Sequence, residues 1–214
     1  MKKNIARIVL SGFIAFSSLI ILIVRVLIGF DMFTGRTTPM DMEYLKYFTS
    51  LSNFYNGFVF LYVFILSLIY VKHPDFRFSK QDRIISLSAT SSVIITFLVT
   101  ILFLNFSLPN PEVLYQNEIL FFHIINPLLT AVIFVFFMPG EKISLKESLL
   151  GMIPLVLYAV FYSIFVLTGV WTDHYNFTFG GNYWAIAIAL PSVLLSSFLV
   201  NWGLSSLSNK LSKN

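Results

Sequence analysis

Six apolar runs, each long enough to cross a hydrocarbon layer, leave this chain little choice of fold. They cover about 7–30, 47–71, 84–106, 118–138, 148–170 and 183–207 of the 214 residues. A spanning helix needs about 20 consecutive apolar residues. In lipid every backbone N–H and C=O must be satisfied within its own segment, so runs of this length are helices, and no alternating ten-residue pattern suggests a barrel. What remains is too short for a sizeable soluble domain, and no linker or internal repeat divides it. The expected fold is an all-α integral membrane protein, one six-transmembrane-helix bundle over 1–214. Composition agrees, with 57% hydrophobic and 11% charged residues, against about 25% charged in soluble domains. The first run follows Lys2 and Lys3 as a signal peptide would. It is too long for an h-region and shows no A-x-A cleavage site before Arg25, so it reads as a retained helix.

The distribution of positive charge orients the bundle. Lys2, Lys3, Arg7, Lys72, Arg77, Lys80, Arg83, Lys142, Lys146, Lys210 and Lys213 fall on one side, and only Arg36 and Lys46 on the other. Both termini are therefore expected in the cytoplasm, with short loops and an absence of Cys that suit a bacterial plasma membrane. The net charge of +4 reflects these retention signals and not a nucleic-acid surface. Without Cys there is no disulfide, thiolate metal site or cysteine nucleophile. His73 is expected on one side and His123 and His174 on the other, so no three-His zinc site can assemble. No metal or cofactor is expected.

Ionisable groups inside a membrane are expensive and mark function. Asp and Glu fall in loops or at helix ends, which removes a mid-membrane proton relay, and no Lys lies mid-helix for a Schiff base. Arg25 and His123 remain, with a set of Ser, Thr and Asn. Counted from the ends of their runs, Arg25, Thr49 and His123 all lie within about a turn and a half of the outer boundary and so share a depth. Thr49, Asn53 and Asn56 recur at i, i+4, i+7 on the second helix, and His123, Asn126 and Thr130 at i, i+3, i+7 on the fourth. Two polar stripes can therefore face one cavity. Pro127 lacks the N–H that would bond the carbonyl of His123, which predicts a kink there. Pro154 and Pro191 repeat the effect in helices five and six. Such kinks open room for a ligand, or neighbouring helices absorb the freed carbonyls.

A Thr hydroxyl becomes a nucleophile when a base takes its proton, and a His in hydrogen-bond reach does that and then protonates the leaving group. Thr49 and His123 have those types. Asn53, with Asn126 beside it, or Arg25 would supply oxyanion donors, while Arg25 has the further options of holding a fatty-acid carboxylate or lipid phosphate or of snorkelling to headgroups. Asp31 and Asp173 are loop candidates for a third member. Each residue also has a structural reading: Thr49, Asn53 and Asn56 as interhelical hydrogen-bonding groups, His174 as a solvated loop residue, and Ser86 to Thr100 as a closely packed small-residue run.

The segment Tyr47-Phe48-Thr49-Ser50-Leu51-Ser52-Asn53, with Phe122-His123-Ile124-Ile125-Asn126-Pro127, resembles the androgen-induced and androgen-dependent multipass membrane proteins and their bacterial relatives. That resemblance implies six helices with cytoplasmic termini and, from the animal members, hydrolysis of fatty acid esters of hydroxy fatty acids by a membrane-embedded threonine and histidine. By motif these fall on Thr49 and His123, with Ser50 and Ser52 as neighbouring hydroxyls. Its partners would be membrane lipids or fatty acyl esters. Six-helix membrane acyltransferases rely on a cysteine absent here, and the G-x-S-G signature of intramembrane serine proteases is missing at Ser11-Gly12. The expected function is a lipid-ester hydrolase. The alternative is a non-catalytic lipid or small-molecule binding protein, or a transporter subunit, using the same polar cavity.

Overall fold

A computed structural model describes residues 2–29, 44–73, 75–107, 109–175 and 183–211. Six long helices account for most of them: α1 Lys2–Gly29, α2 Phe48–Ile69, α3 Lys80–Leu104, α4 Asn117–Phe137, α5 Leu145–Leu167 and α6 Tyr183–Leu211. Each contains an apolar window long enough to cross a membrane. No strand occurs among the described residues, where an isolated bridge joins Phe78 to Gly140. The helices run alternately up and down, so the starts of α1, α3 and α5 gather with the ends of α2, α4 and α6. This is the terminal end of the bundle, and the opposite one is the far end.

α3 and α5 begin three to four residues earlier than their apolar runs, at Lys80 and Leu145, because polar caps start them. Ser79 Oγ accepts from the Asp82 N–H at 3.2 Å while the Asp82 carboxylate accepts from the Ser79 N–H at 3.0 Å. Ser144 and Glu147 repeat the arrangement at 3.3 and 2.8 Å. Each box satisfies two N–H groups that a helix start leaves open.

α3 is the central helix, with 56% of its apolar window buried against 17% for α5 and for α6. Several of its Ser and Thr side chains find partners within the helix. The hydroxyls of Thr90, Ser92 and Thr100 bond the carbonyls four residues back at 2.7, 2.7 and 2.9 Å, which lets small polar residues sit in a dry interior and neighbours approach closely. Gly151 of α5 uses that closeness: a Cβ there would collide with the side-chain oxygen of Asn201 on α6, and the Gly151 carbonyl accepts from Ser91 Oγ at 3.1 Å. Apolar packing concentrates toward the terminal end, around Phe60, Val63, Leu87, Ile133 and Phe134. The outward sides of α1 and α5 carry exposed Val9, Phe13, Val160 and Phe161.

Two arginines from the positively charged side are not at the surface. Arg7 is 2% exposed and Arg83 0%. Arg7 Nε donates to Ser67 Oγ at 2.8 Å and Nη1 to the Phe137 carbonyl at 3.2 Å, with its guanidinium 5.0 Å from the Phe78 ring centroid. Arg83 Nη1 donates to the carbonyls of Gly140, at 3.2 Å, and Glu141, and Nη2 to Ser208 Oγ at 2.6 Å. These carbonyls lie at and just past the end of α4, where a helix leaves acceptors open and the dipole favours a cation. Arg83→Ala removes three hydrogen bonds made by a charged donor, to the Gly140 and Glu141 carbonyls and to Ser208 Oγ, and is expected to cost about 3 kcal/mol, since hydrogen bonds to charged groups contribute about 1.5–3 kcal/mol each and the two carbonyls regain water. Denaturant unfolding in detergent micelles measures it, and a loss below about 0.5 kcal/mol would contradict the clamp, being the usual range of an ordinary surface substitution.

Candidate functional site

Thr49 is the second residue of α2, whose start is held from two sides. Tyr47 precedes the helix in extended conformation and gives no side-chain cap. The Tyr175 hydroxyl oxygen accepts from the Phe48 N–H at 2.9 Å, and Tyr158 Oη donates to the Lys46 carbonyl at 2.8 Å. Tyr175 reaches α2 because the chain turns back after α5. Gly169, at φ +73°, supplies the left-handed step that ends that helix. The returning segment is then pinned by Tyr162, whose hydroxyl donates to Asp173 Oδ1 at 2.8 Å and accepts from the Tyr175 N–H at 3.1 Å. Burial pushes the Tyr175 phenol up from its ordinary pKa, so it stays protonated at neutral pH. α5 continues to Leu167, nine residues beyond Tyr158. Thr49 therefore sits more than two helical turns below the far end of α5, deeper than the span ends alone suggest.

His123 lies in a widened turn of α4, Phe121–Ile125, where the Asn126 N–H bonds the carbonyl of Phe121, five residues back. Pro127 comes next and has no N–H to continue that register. The carbonyl it leaves open is therefore that of Phe122 and not, as a regular helix predicts, that of His123. Asn53 of α2 fills the vacancy, with Nδ2 donating to Phe122 O at 3.2 Å and to Thr49 O at 2.8 Å. One amide thus ties the backbone beside the histidine to the backbone of the threonine.

The two side chains meet across that tie. Thr49 Oγ1 lies 3.5 Å from His123 Nε2, and His123 Nδ1 lies 2.9 Å from the Ile119 carbonyl oxygen. A carbonyl only accepts, so Nδ1 carries the ring proton. In the neutral imidazole Nε2 then presents its lone pair to the Thr49 hydroxyl, as a general base must. Both residues are half-buried.

The remaining expected site residues are placed differently. Asn53 uses both amide hydrogens on carbonyls and accepts from Asn126 Nδ2, leaving no donor for an oxyanion. Asn126 turns its amide to this stripe, its Oδ1 accepting from Asn56 Nδ2 at 3.2 Å, and Asn56 also donates to Thr130 Oγ1 at 3.0 Å. The polar stripes do face each other, but they close the space between α2 and α4 with their own hydrogen bonds instead of lining a cavity. Arg25 is ion-paired with Glu118 on α4 and stacks 4.9 Å over the Tyr44 ring, so the carboxylate it holds is the protein's own. Ser52 Oγ points to the Thr49 carbonyl and Thr96 Oγ1 at 3.1 and 3.3 Å, away from His123. Asp173 is committed to Tyr162, and the His174 ring packs 5.1 Å from that of Tyr47. Asp31 lies outside the described residues. Among the described residues no group of three His, Asp or Glu side chains is arranged to hold a metal.

A cavity of about 390 Å³ opens between α2 and α5, past Phe48 and Tyr158, and neither Thr49 nor His123 lines it. Three contributors to the site escape sequence reasoning: the Ile119 carbonyl, Tyr175 and Glu118. Only Pro127 signals that the helix near His123 is irregular. No protein-family model, curated protein or solved structure matches this chain.

Proposed function

We propose that the protein is a membrane-embedded hydrolase of fatty acyl esters, with Thr49 as nucleophile and His123 as general base, its termini in the cytoplasm and its far end on the outer side of a bacterial plasma membrane. The observation that carries this reading is the His123 ring, fixed by Ile119 so that its free lone pair faces the Thr49 hydroxyl at 3.5 Å. In the first step Nε2 takes the Thr49 proton as Oγ1 attacks the ester carbonyl. The imidazolium then gives that proton to the leaving alkoxide, and a threonyl ester remains. Water, deprotonated by the same nitrogen, releases the fatty acid and restores the enzyme. The first helical bond of α2 runs from the Leu51 N–H to the Tyr47 carbonyl at 3.1 Å, so the N–H groups ahead of Leu51 have no partner within the helix. The Tyr175 hydroxyl already accepts from the Phe48 N–H and sits against that of Thr49, so in this reading the Ser50 N–H supplies the oxyanion donor that Asn53 cannot. A substrate bearing a carboxylate would compete with Glu118 for Arg25. The family resemblance of the Thr49 and His123 segments points the same way.

Fluorophosphonate labelling of the purified protein, with the adduct located by mass spectrometry, tests the reading. Modification of Thr49 is expected. An adduct on Ser50 or Ser52 would replace the nucleophile. Folded protein that takes no label would leave the second reading, a non-catalytic lipid-binding protein or transporter subunit. That reading draws its support from a cavity that lies off the Thr49–His123 pair.

A further inference from the structure

The cavity between α2 and α5 has a chemistry of its own. Phe48, Leu51 and Ser52 line it from α2, and helical geometry turns Thr49 close to a third of a turn away from their mean direction. The facing wall includes Tyr158 and Phe161 of α5, and Trp171 lies at the far end, after α5 has closed. Its volume of about 390 Å³ falls within the range of pockets that hold small organic ligands.

The polar groups on this wall are almost all spent. Ser52 bonds the Thr49 carbonyl and Thr96, the Tyr55 hydroxyl meets Ser88 Oγ at 2.6 Å, and Tyr158 bonds the Lys46 carbonyl. A polar molecule would lose its hydration and find no partner along the shaft, which disfavours it steeply. The exception is Trp171, whose indole N–H is a donor at the end nearest the headgroup level, the position where amphipathic aromatics favour a wet edge. The side of the cavity is open as well: Leu51 is 40% and Phe161 55% exposed on the surface that the membrane hydrocarbon covers. Whatever enters there comes from the lipid.

We propose that this cavity binds one unbranched acyl chain of a membrane phospholipid, admitted sideways between Leu51 and Phe161, with the chain's ester end at Trp171. The site does not depend on the Thr49–His123 chemistry and would hold lipid in a catalytic or a non-catalytic protein alike.

The test uses full-length protein with Trp184→Phe and Trp202→Phe, so that Trp171 is the remaining tryptophan and is excited selectively over the tyrosines, in micelles of a sterol-based detergent that has no alkyl chains. Titration with a phosphatidylcholine brominated midway along one chain should quench Trp171 saturably, at one lipid per chain, and excess unbrominated phosphatidylcholine should restore the emission. Adding Ser52→Phe fills the cavity and should remove the saturable component. If that variant fails to fold, the competition in the parent protein still decides. Quenching that rises linearly without saturation, or that unbrominated lipid does not reverse, would overturn the site. Saturable quenching by a brominated free fatty acid but not by the phospholipid would overturn the assignment of its occupant.

Discussion

Replacing His123 with alanine should slow fluorophosphonate labelling of Thr49 by about 10²–10⁴-fold, the usual contribution of a positioned general base. Thr49→Ala should abolish the adduct, and Thr49→Ser should retain it. The expectation rests on how the ring is held. Its orientation comes from a backbone carbonyl, so removing the side chain strips no other residue of a charged partner. The 3.5 Å separation from Thr49 is long for a stabilising hydrogen bond, and both residues are half-buried. His123→Ala should therefore change stability by less than about 1 kcal/mol while removing most of the reactivity. Unchanged labelling in a folded His123→Ala protein would refute the pairing. Equal loss of labelling and of folding would show the histidine to be a packing residue.

Asn53→Leu is expected to have the larger effect on folding. Leucine keeps the branching of asparagine but is bulkier, and it breaks three interhelical or backbone ties at once, to Thr49 O, Phe122 O and Asn126 Nδ2. The ties to Phe122 O and Asn126 Nδ2 are buried, and Asn53 and Asn126 are both 0% exposed. Intramembrane hydrogen bonds contribute about 0.6 kcal/mol on average and up to about 1.7 each, and the Phe122 carbonyl has lost its usual helical donor to Pro127. A destabilisation of about 3 kcal/mol follows, together with slower labelling of Thr49, whose backbone is no longer tied to the histidine's turn. Asn56→Leu offers the contrast. Its Oδ1 is buried without a partner, so substitution removes one unmet group along with two bonds. The cost should be only about 1 kcal/mol. Denaturant unfolding of the two variants and of Asn53→Leu/Asn126→Leu measures this, and the double variant should fall short of additivity because its members share one bond. Equal costs for Asn53→Leu and Asn56→Leu would contradict the hierarchy.

The six spans are legible because lipid admits so few backbone solutions. Their ends are less so. Hydropathy starts the third and fifth helices at about 84 and 148, whereas Ser79-Lys-Gln-Asp82 and Ser144-Leu-Lys-Glu147 start them at Lys80 and Leu145; the capping boxes stand in the sequence but carry no apolar signal. The pairing of Thr49 with His123 follows from shared depth and helical spacing. What depth and spacing cannot give is occupancy. Two polar stripes look alike whether they line a cavity or bond each other, and the choice was made by the widened turn at Phe121–Ile125, a shift of one bond in register with no residue of its own to announce it. Tyr175 is harder still to foresee, since its position depends on how the segment 168–175 folds back along α5.

The burial of Arg7 and Arg83 separates two moments in the life of the protein. Lysine and arginine near helix ends decide which way a chain is threaded through the membrane, and at that stage these two side chains are still hydrated. In the finished bundle they are withdrawn from both water and headgroups and bound to carbonyls at and beyond the end of α4. Their burial requires the end of α4, and for Arg83 also α6, to be packed against them. Lysine at either position would preserve the vote on topology but offer a point charge in place of a planar fork with several directed donors. Such a protein would thread correctly and assemble poorly, so insertion and assembly become steps that a single conservative substitution can pull apart.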